Sequence, residues 1–489
     1  MRDVNNGRNG MDKAQIRVRL VNCLVSLINC LASLMPLLGA FWPVLFWYVL
    51  RTFDRSDEPW GLLALITAAY FIVRSANLST SAYMRPRRNS LLAFALLLLY
   101  TLSYHVAPHL VQGVIMVSAL WFWLGGMLAV PWRWGILGLL LLSLPIVPSI
   151  NFFAGYPLRL IVTQVAQLML ACVGITSTKE GTLLVIDAKP VAIDAPCSGI
   201  SMLWVELYTV MVLACYFKLG ARRTAYLTAA SVFLVLLANS VRAVALILFD
   251  RIAEKPELTT LLSSYEPAVH LGVGVLAFLA TAVTSVLIAT KLSLRPERNE
   301  IISPVQTLAP APAVHSSRRP AWSLVLLYSM CIGAAIVPLF ARTTDAVQLS
   351  SPAPAWPKEI LGHSVIAVHS LDEEKAFASE FPGHMRRFTD GNNSYFVRIV
   401  NKETRQLHPS SDCFKGLGYS IEAKPLVVSA DGSRWSSFVA RKGNDNYMIM
   451  EQLHDSNGHS WSDVSEWYWH ALMHESEGPW WDITVASPL

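Results

Sequence analysis

The sequence predicts a polytopic α-helical membrane protein of about eight core spans plus one additional span, ending in an extracytoplasmic α+β domain. Three observations predict it. Of the 489 residues, 53% are hydrophobic and only 15% charged, with a mean hydropathy of +0.42, too apolar for a soluble globular chain. Apolar runs long enough to cross a bilayer recur from residue 18 to residue 340 and then stop. Basic residues cluster in alternate loops between those runs, as expected of loops kept in the cytoplasm.

The runs fall at 18–50, 60–74, 90–106, 110–130, 134–150, 198–217, 224–249, 267–290 and 322–340. The first suits either one tilted span with an interfacial end or a tight hairpin. Arg2, Arg8, Lys13, Arg17 and Arg19 precede it, and Arg74, Arg85, Arg87 and Arg88 follow the second. Arg133, then Lys218, Arg222 and Arg223, then Lys291, Arg295 and Arg298 mark the later basic loops. The intervening loops are poorer in net positive charge, as in 250–266, with four acids against two bases. This alternation puts the N-terminus inside and the C-terminus outside. The formal net charge of +5 is accounted for by these loops and calls for no nucleic-acid partner.

The predicted organisation is a cytoplasmic tail (1–17), a multi-span membrane domain (18–291), a flexible Pro-containing cytoplasmic linker (292–321), an additional transmembrane helix (322–341) and an external domain (342–489). Between the fifth and sixth runs, 157–175 carries Arg159, Thr163, Gln164 and Gln167 among apolar residues, which predicts an interfacial helix. Residues 181–193 are short and β-branched, which predicts a small hairpin leading to residue 197. In the tail, SYFVRIVN, KPLVVSA, WSSFVAR and NYMIMEQL read as strands, and SWSDVSEWYWHALMH as a Trp-rich helix.

Seven scattered cysteines include no CxxC pair and no zinc-like His/Cys spacing, so neither a disulfide framework nor a metal centre is expected. Cys197 differs from the rest. In VAIDAPCSGISMLW it sits in a Pro-Cys-Ser-Gly turn, with Ser198 and Gly199, at the amino end of a membrane helix, where the helix dipole favours a thiolate. Asp194 opposes that thiolate, so a nearby cation is needed. Arg242, in LLANSVRAVALIL, lies roughly 27 Å along its helix from Thr224 at about 1.5 Å per residue, which brings it to the same outer face. It either snorkels to that interface or steadies a thiolate or oxyanion. Asn239, on the same helix face, can orient it. His270 opens the next span from the outer side and is either interfacial or a general base, and Gly272 and Gly274 beside it permit close helix approach. His470 and His474 have helical spacing but no third ligand, His105 and His109 flank an outer turn, and Cys413 reads as a buried thiol.

The ordered stretches PSINFFAGYPLR, VAIDAPCSGI, NSVRA and HLGVG resemble the exosortase/archaeosortase family of membrane transpeptidases over about residues 90–290. That resemblance implies a bacterial inner-membrane cysteine transpeptidase with its active site facing the periplasm. Cys197 would be the nucleophile, Arg242 the stabilising cation and His270 the general base or acid. The substrate would be an exported protein with a C-terminal sorting signal (Pro-Glu-Pro, a membrane helix and a basic tail), its new end passing to an acceptor, including a lipid or polysaccharide. No cofactor is implied. Many family members carry a basic residue just after CSGI, where this chain has Ser201. The tail, through LHPSSDCFKGLGYSI and SDVSEWYW, resembles a soluble domain that accompanies exosortases in exopolysaccharide gene clusters. A non-enzymatic component of polysaccharide assembly or export is the alternative from another class. A thiol oxidoreductase is disfavoured by the missing CxxC.

Overall fold

The computed structural model describes residues 34–53, 60–76, 87–125, 133–187, 189–193, 198–253, 265–294, 321–340, 356–368, 381–429 and 432–489. The expected cytoplasmic tail and all but the ends of the expected linker lie outside these residues, as do Asp194 and Cys197.

The first run contributes α1 (Leu34–Ala40) and α2 (Trp42–Phe53), bent by 75° between them. Next come α3 (Trp60–Ala76), α4 (Arg87–Ser103), α5 (His109–Leu124), α6 (Arg133–Leu142) and α7 (Val147–Cys172). After a three-stranded hairpin sheet follow α8 (Ile200–Tyr216), α9 (Ala221–Ala253), α10 (Glu266–Leu294) and α11 (Ala321–Phe340). Among the described residues two helices are long and apolar enough to cross a membrane alone, Ala221–Ala253 and Ala268–Leu294. Two bent pairs pass as joint spans, Leu34–Ala40 with Trp42–Thr52 and Trp134–Leu142 with Val147–Cys172. Two to four spans are thus clear, fewer than the eight or nine read from hydropathy. Helices α3, α4, α5 and α8 have at most 17 residues, or about 25 Å of rise against a hydrocarbon core of about 30 Å.

The fifth run departs most from expectation. It holds only the ten-residue α6, after which the chain turns by 92° into α7. Pro145 lies in this corner, where its ring and missing N–H oppose a continuing helix, and Pro148 falls in the first turn of α7, where proline is tolerated. The expected interfacial helix therefore starts at Val147, ten residues before the point read from polarity, and lies across the direction of α6.

Two groups of helices form the membrane part. Leu37, Phe41 and Val44 pack with Leu97, Tyr100, Met116 and Trp123, and α11 joins them through Cys331 and Ala334. Trp42 also donates its indole N–H to the Ala335 carbonyl at 3.0 Å. Around α8, Trp204 packs with Ala64 and Leu142, while Val210 and Ala214 pack with Leu227 and Ala289.

The C-terminal domain is α+β, as expected. Its main sheet is antiparallel, in the order β6 (Ile366–Ala367), β7 (Gly383–Thr389), β8 (Ser394–Val400), β13 (Trp480–Pro488), β11 (Asp445–His454), β10 (Arg434–Lys442), β9 (Ser420–Val428). The short β12 (Ser460–Trp461) pairs with β11, and β4 (Glu359–Ile360) with β5 (His363–Ser364). The four strand-like runs are β8 to β11, and the structure adds β7 and the central β13. Among the described residues two helices accompany the sheet, α12 (Ser410–Gly416) and the Trp-rich α13 (Val464–Leu472), whose N-cap Asp463 accepts from the Glu466 N–H at 2.9 Å.

The domain docks on α7 through α13. Phe152 enters the domain's core beside Trp461, Trp467 and Trp480. Pro157 cannot donate to the Phe153 carbonyl one turn back, and Trp469 Nε1 supplies that bond at 2.8 Å. The Tyr156 N–H donates to Ser465 Oγ at 3.1 Å. Arg159, buried in α7, meets Asp463 at 2.6 Å.

Candidate active site

The hairpin before Cys197 is built on two helices. Strand β1 (Thr178–Glu180) pairs antiparallel with β2 (Leu183–Ile186), and β2 with β3 (Lys189–Ala192). Leu184, Ile186 and Ile193 pack on Val162, Ala166 and Leu170 of α7 and on Ala243, Val244 and Ile247 of α9. Polar contacts fix the same piece. Gln167 donates to the Ser177 carbonyl at 2.9 Å, Lys179 reaches Gln164 Oε1 at 3.2 Å, and Arg251 at the end of α9 pairs with Asp187 at 2.6 Å. At about 1.5 Å per residue, the 33 residues of α9 span roughly 50 Å, so its last turns extend beyond a bilayer core and carry the hairpin.

After the hairpin the described chain resumes at Ser198, which is buried, and Gly199, which caps α8 in the left-handed region at φ +75°. Gly199 lies flat against Asn239, and a Cβ there would come within 2.9 Å of Asn239 Cγ. Arg242 sits three residues along α9, on the same face as Asn239. Its guanidinium lies over Gly274 of α10, where an added Cβ would be 3.6 Å from Nε and 3.9 Å from Cζ. Gly274 is one turn along α10 from His270, on the same face. The residues flanking Cys197 are thus linked through Asn239 and Arg242 to the face of α10 that bears His270. Gly272, the other glycine of HLGVG, has open space around it, so the close helix approach falls on Gly274 alone.

Two polar atoms here are shut off from solvent and hydrogen-bond to nothing among the described residues, Arg242 Nε and His270 Nε2. A buried unsatisfied donor or acceptor costs about 1–3 kcal/mol, so each of these two nitrogens calls for a partner. Arg242 is half-buried and its unpaired Nε faces protein rather than water.

Sequence reading passed over Glu206, the one charged residue within the apolar run of α8. It is fully buried on α8, accepting from Ser285 at 2.6 Å and from Thr281 at 3.2 Å, both on α10, while Ser231 of α9 lies 2.8 Å from Ser285. A carboxylate inside SMLWVELYTV was the available signal. The cluster ties together the three helices that carry Gly199, Arg242 and His270. Of the remaining sequence candidates, His470 meets Tyr156 at 3.3 Å and Glu475 at 3.0 Å, and His109 lies 3.4 Å from Gln112. Among the described residues no three His, Cys, Asp or Glu side chains gather as a metal site.

Comparison with curated proteins and with solved structures finds no match. A protein-family model does match, that of the transmembrane exosortases, over residues 47–287. This span runs from within α2 into α10 and includes the hairpin, Asn239, Arg242 and His270. With that match, the membrane part of the chain belongs to the transmembrane exosortase family.

Proposed function

We propose that the chain is a membrane-embedded cysteine transpeptidase that cleaves a C-terminal sorting signal of exported proteins. Membership of the exosortase family supports a sorting transpeptidase role in general. The observation that carries the specific reading is the linked set Gly199–Asn239–Arg242–Gly274, with buried unsatisfied nitrogens on Arg242 and His270.

In the proposed cycle the Cys197 thiol passes its proton to His270 as sulfur attacks the scissile carbonyl carbon. Arg242 holds the resulting oxyanion by charge-assisted hydrogen bonds. Collapse breaks the C–N bond, and His270 returns the proton to the departing amine, leaving a thioester on Cys197. An acceptor nucleophile then attacks the thioester, giving its proton to His270, and Cys197 is freed. Asp194, Ser198, Gly199 and Asn239 hold the turn and the cation in place. The substrate signal is of the Pro-Glu-Pro type followed by a membrane helix and a basic tail. The acceptor is a nucleophile on a lipid or polysaccharide.

The same proposal assigns the bacterial inner membrane, with the N-terminus cytoplasmic and the active site and residues 342–489 in the periplasm. It counts eight core spans in 18–291 and one more at 322–341, and it reads the C-terminal domain as an exosortase-associated, exopolysaccharide-type module.

The test is co-expression with a substrate carrying such a signal, followed by immunoblotting for cleavage. Cys197→Ala, Arg242→Gln and His270→Gln should each abolish cleavage while the protein still inserts in the membrane. A substrate fragment should be trapped on Cys197 by mass spectrometry. Undiminished processing by Cys197→Ala would refute the reading and return the chain to a non-enzymatic part in polysaccharide assembly or export.

A further inference from the structure

In the C-terminal domain a thiol lies beside a histidine. Cys413, half-buried in α12, has its Sγ 3.2 Å from His408 Nε2. Nδ1 of the same ring lies 2.8 Å from the Gln406 carbonyl oxygen. A carbonyl can only accept, so Nδ1 carries the proton and the neutral ring turns its Nε2 lone pair toward the thiol. Nucleophile, base and orienting group stand in the order that base-assisted attack requires. A thiol that only fills space needs no such arrangement.

The loop bearing this pair is held from beneath by buried charge. Arg398 of β8 bonds Asp482 of β13, meets Glu451 of β11 at 2.9 Å and donates to the His408 carbonyl at 2.9 Å. Glu451 in turn accepts the Ser410 N–H at 2.8 Å. Three buried ionisable side chains on neighbouring strands are costly even when paired, and apolar side chains would fill the space as well. Two of their bonds end on the backbone of the loop between His408 and Cys413, which fixes the geometry of the pair. Burial pushes the Cys413 thiol up to about 11, and burial with the nearby Arg398 charge pulls His408 down. At rest the pair is therefore a neutral thiol and a neutral imidazole. The loop also meets the membrane part, since the Arg405 guanidinium lies 6.0 Å from the centre of the Phe153 ring on α7.

We propose that Cys413 and His408 form a second nucleophilic site, which accepts an acyl group from a thioester. The Cys413 proton moves to His408 Nε2 as sulfur bonds to the thioester carbonyl carbon. The tetrahedral adduct then breaks its original C–S bond, and the departing thiolate takes the proton from His408. One thioester is exchanged for another with no net oxidation or reduction. The natural donor, a thioester on Cys197, rests on the function proposed above, whereas the reactivity of the pair does not.

The experiment uses full-length protein in detergent with Cys197→Ala, so that the membrane thiol is absent, and a short N-acetyl peptide thioester as probe. Peptide mass spectrometry compares acylation of Cys413 with that of the exposed Cys172 in the same molecule. Cys413 should acylate at least about tenfold faster, since placed general bases contribute about 10²–10⁴-fold. His408→Gln should remove that advantage. If His408→Gln disturbs the loop, the same reaction of the histidine-containing protein in heavy water should be slower, because a proton is in flight. Cys413 reacting no faster than Cys172, or showing no slowing in heavy water, overturns the inference and leaves a packing thiol. Substrate cleavage by the Cys413→Ser protein tests the Cys197 reading separately, so each can fail without the other.

Discussion

Replacing Gly199 by alanine should destabilise the protein in two separable ways. At φ +75° an L-residue bears about 1–2 kcal/mol relative to glycine. The new Cβ would also stand 2.9 Å from Asn239 Cγ and 3.0 Å from its Nδ2, and relieving such overpacking costs about 1–3 kcal/mol. The sum is about 2–5 kcal/mol, measurable by chemical denaturation in mixed micelles. Asn239→Ala removes the two atoms that clash, so Gly199→Ala made in that background should lose only the backbone part. The double-mutant cycle should then show coupling of about 1–3 kcal/mol. Gly274→Ala serves as the control. Its Cβ would meet Arg242 Nε at an ordinary 3.6 Å, and alanine is the better helix former by about 1 kcal/mol, so stability should hold or rise. An unharmed Gly199→Ala protein, or strict additivity with Asn239→Ala, would refute the claim that Asn239 packs on this turn.

Breaking the Arg159–Asp463 pair with Arg159→Gln should loosen the docked domain by about 3–5 kcal/mol, because Asp463 then loses its buried partner. Limited proteolysis between α11 and the sheet should accelerate, and unchanged cleavage rates would count against the docking. Trp469→Phe leaves the Phe153 carbonyl without its indole donor and should weaken docking by about 1 kcal/mol in the same assay, an effect that Pro157→Ala should diminish by restoring a backbone donor. Burial, aided by the Asp463 charge, pushes Glu466 up to about 7. Its folded value lies above the unfolded one, so its contribution is full below pH 4.5 and is lost as pH rises through about 7. Glu466→Gln should flatten the pH dependence of docking between those values, and an unchanged profile would exclude Glu466 as the source. Glu206→Gln keeps partners for Ser285 and Thr281 and should be tolerated, whereas Glu206→Ala should lose about 1–3 kcal/mol by thermal unfolding in detergent.

Hydropathy and charge made the helical part and the separate C-terminal α+β domain legible, because burial in lipid and residence in water select very different compositions. A short β-branched stretch exposed the hairpin, and short strand-like runs exposed four of the sheet strands. The corner at Pro145 was hidden, since an apolar run reads the same whether it is one span or a short helix followed by a perpendicular one. The central strand β13 was hidden for another reason. It carries Trp481, Asp482 and Thr484 among its apolar residues, and Asp482 is a core residue only because Arg398 lies on the next strand. Contacts between distant segments, such as Trp469 with Phe153, leave no local pattern in either segment. The candidate site was readable as separate oddities: a cysteine in a turn, an arginine in an apolar run and a histidine at a helix start. The glycine contacts that link them depend on helix packing, which spacing along the chain does not encode. Glu206 was visible in the sequence and is explained only by three hydroxyl-bearing neighbours on two other helices.

Pro157 has an implication for any shortened version of this chain. By leaving a carbonyl open on α7 next to the buried Arg159, it makes that helix incomplete by itself, and residues of α13 complete it. A protein ending after residue 340 would carry a stranded guanidinium and a bare acceptor on the helix that supports the hairpin. Removing the C-terminal domain therefore alters the helix beneath the hairpin, and any change of behaviour on truncation would say nothing about whether that domain itself binds a partner.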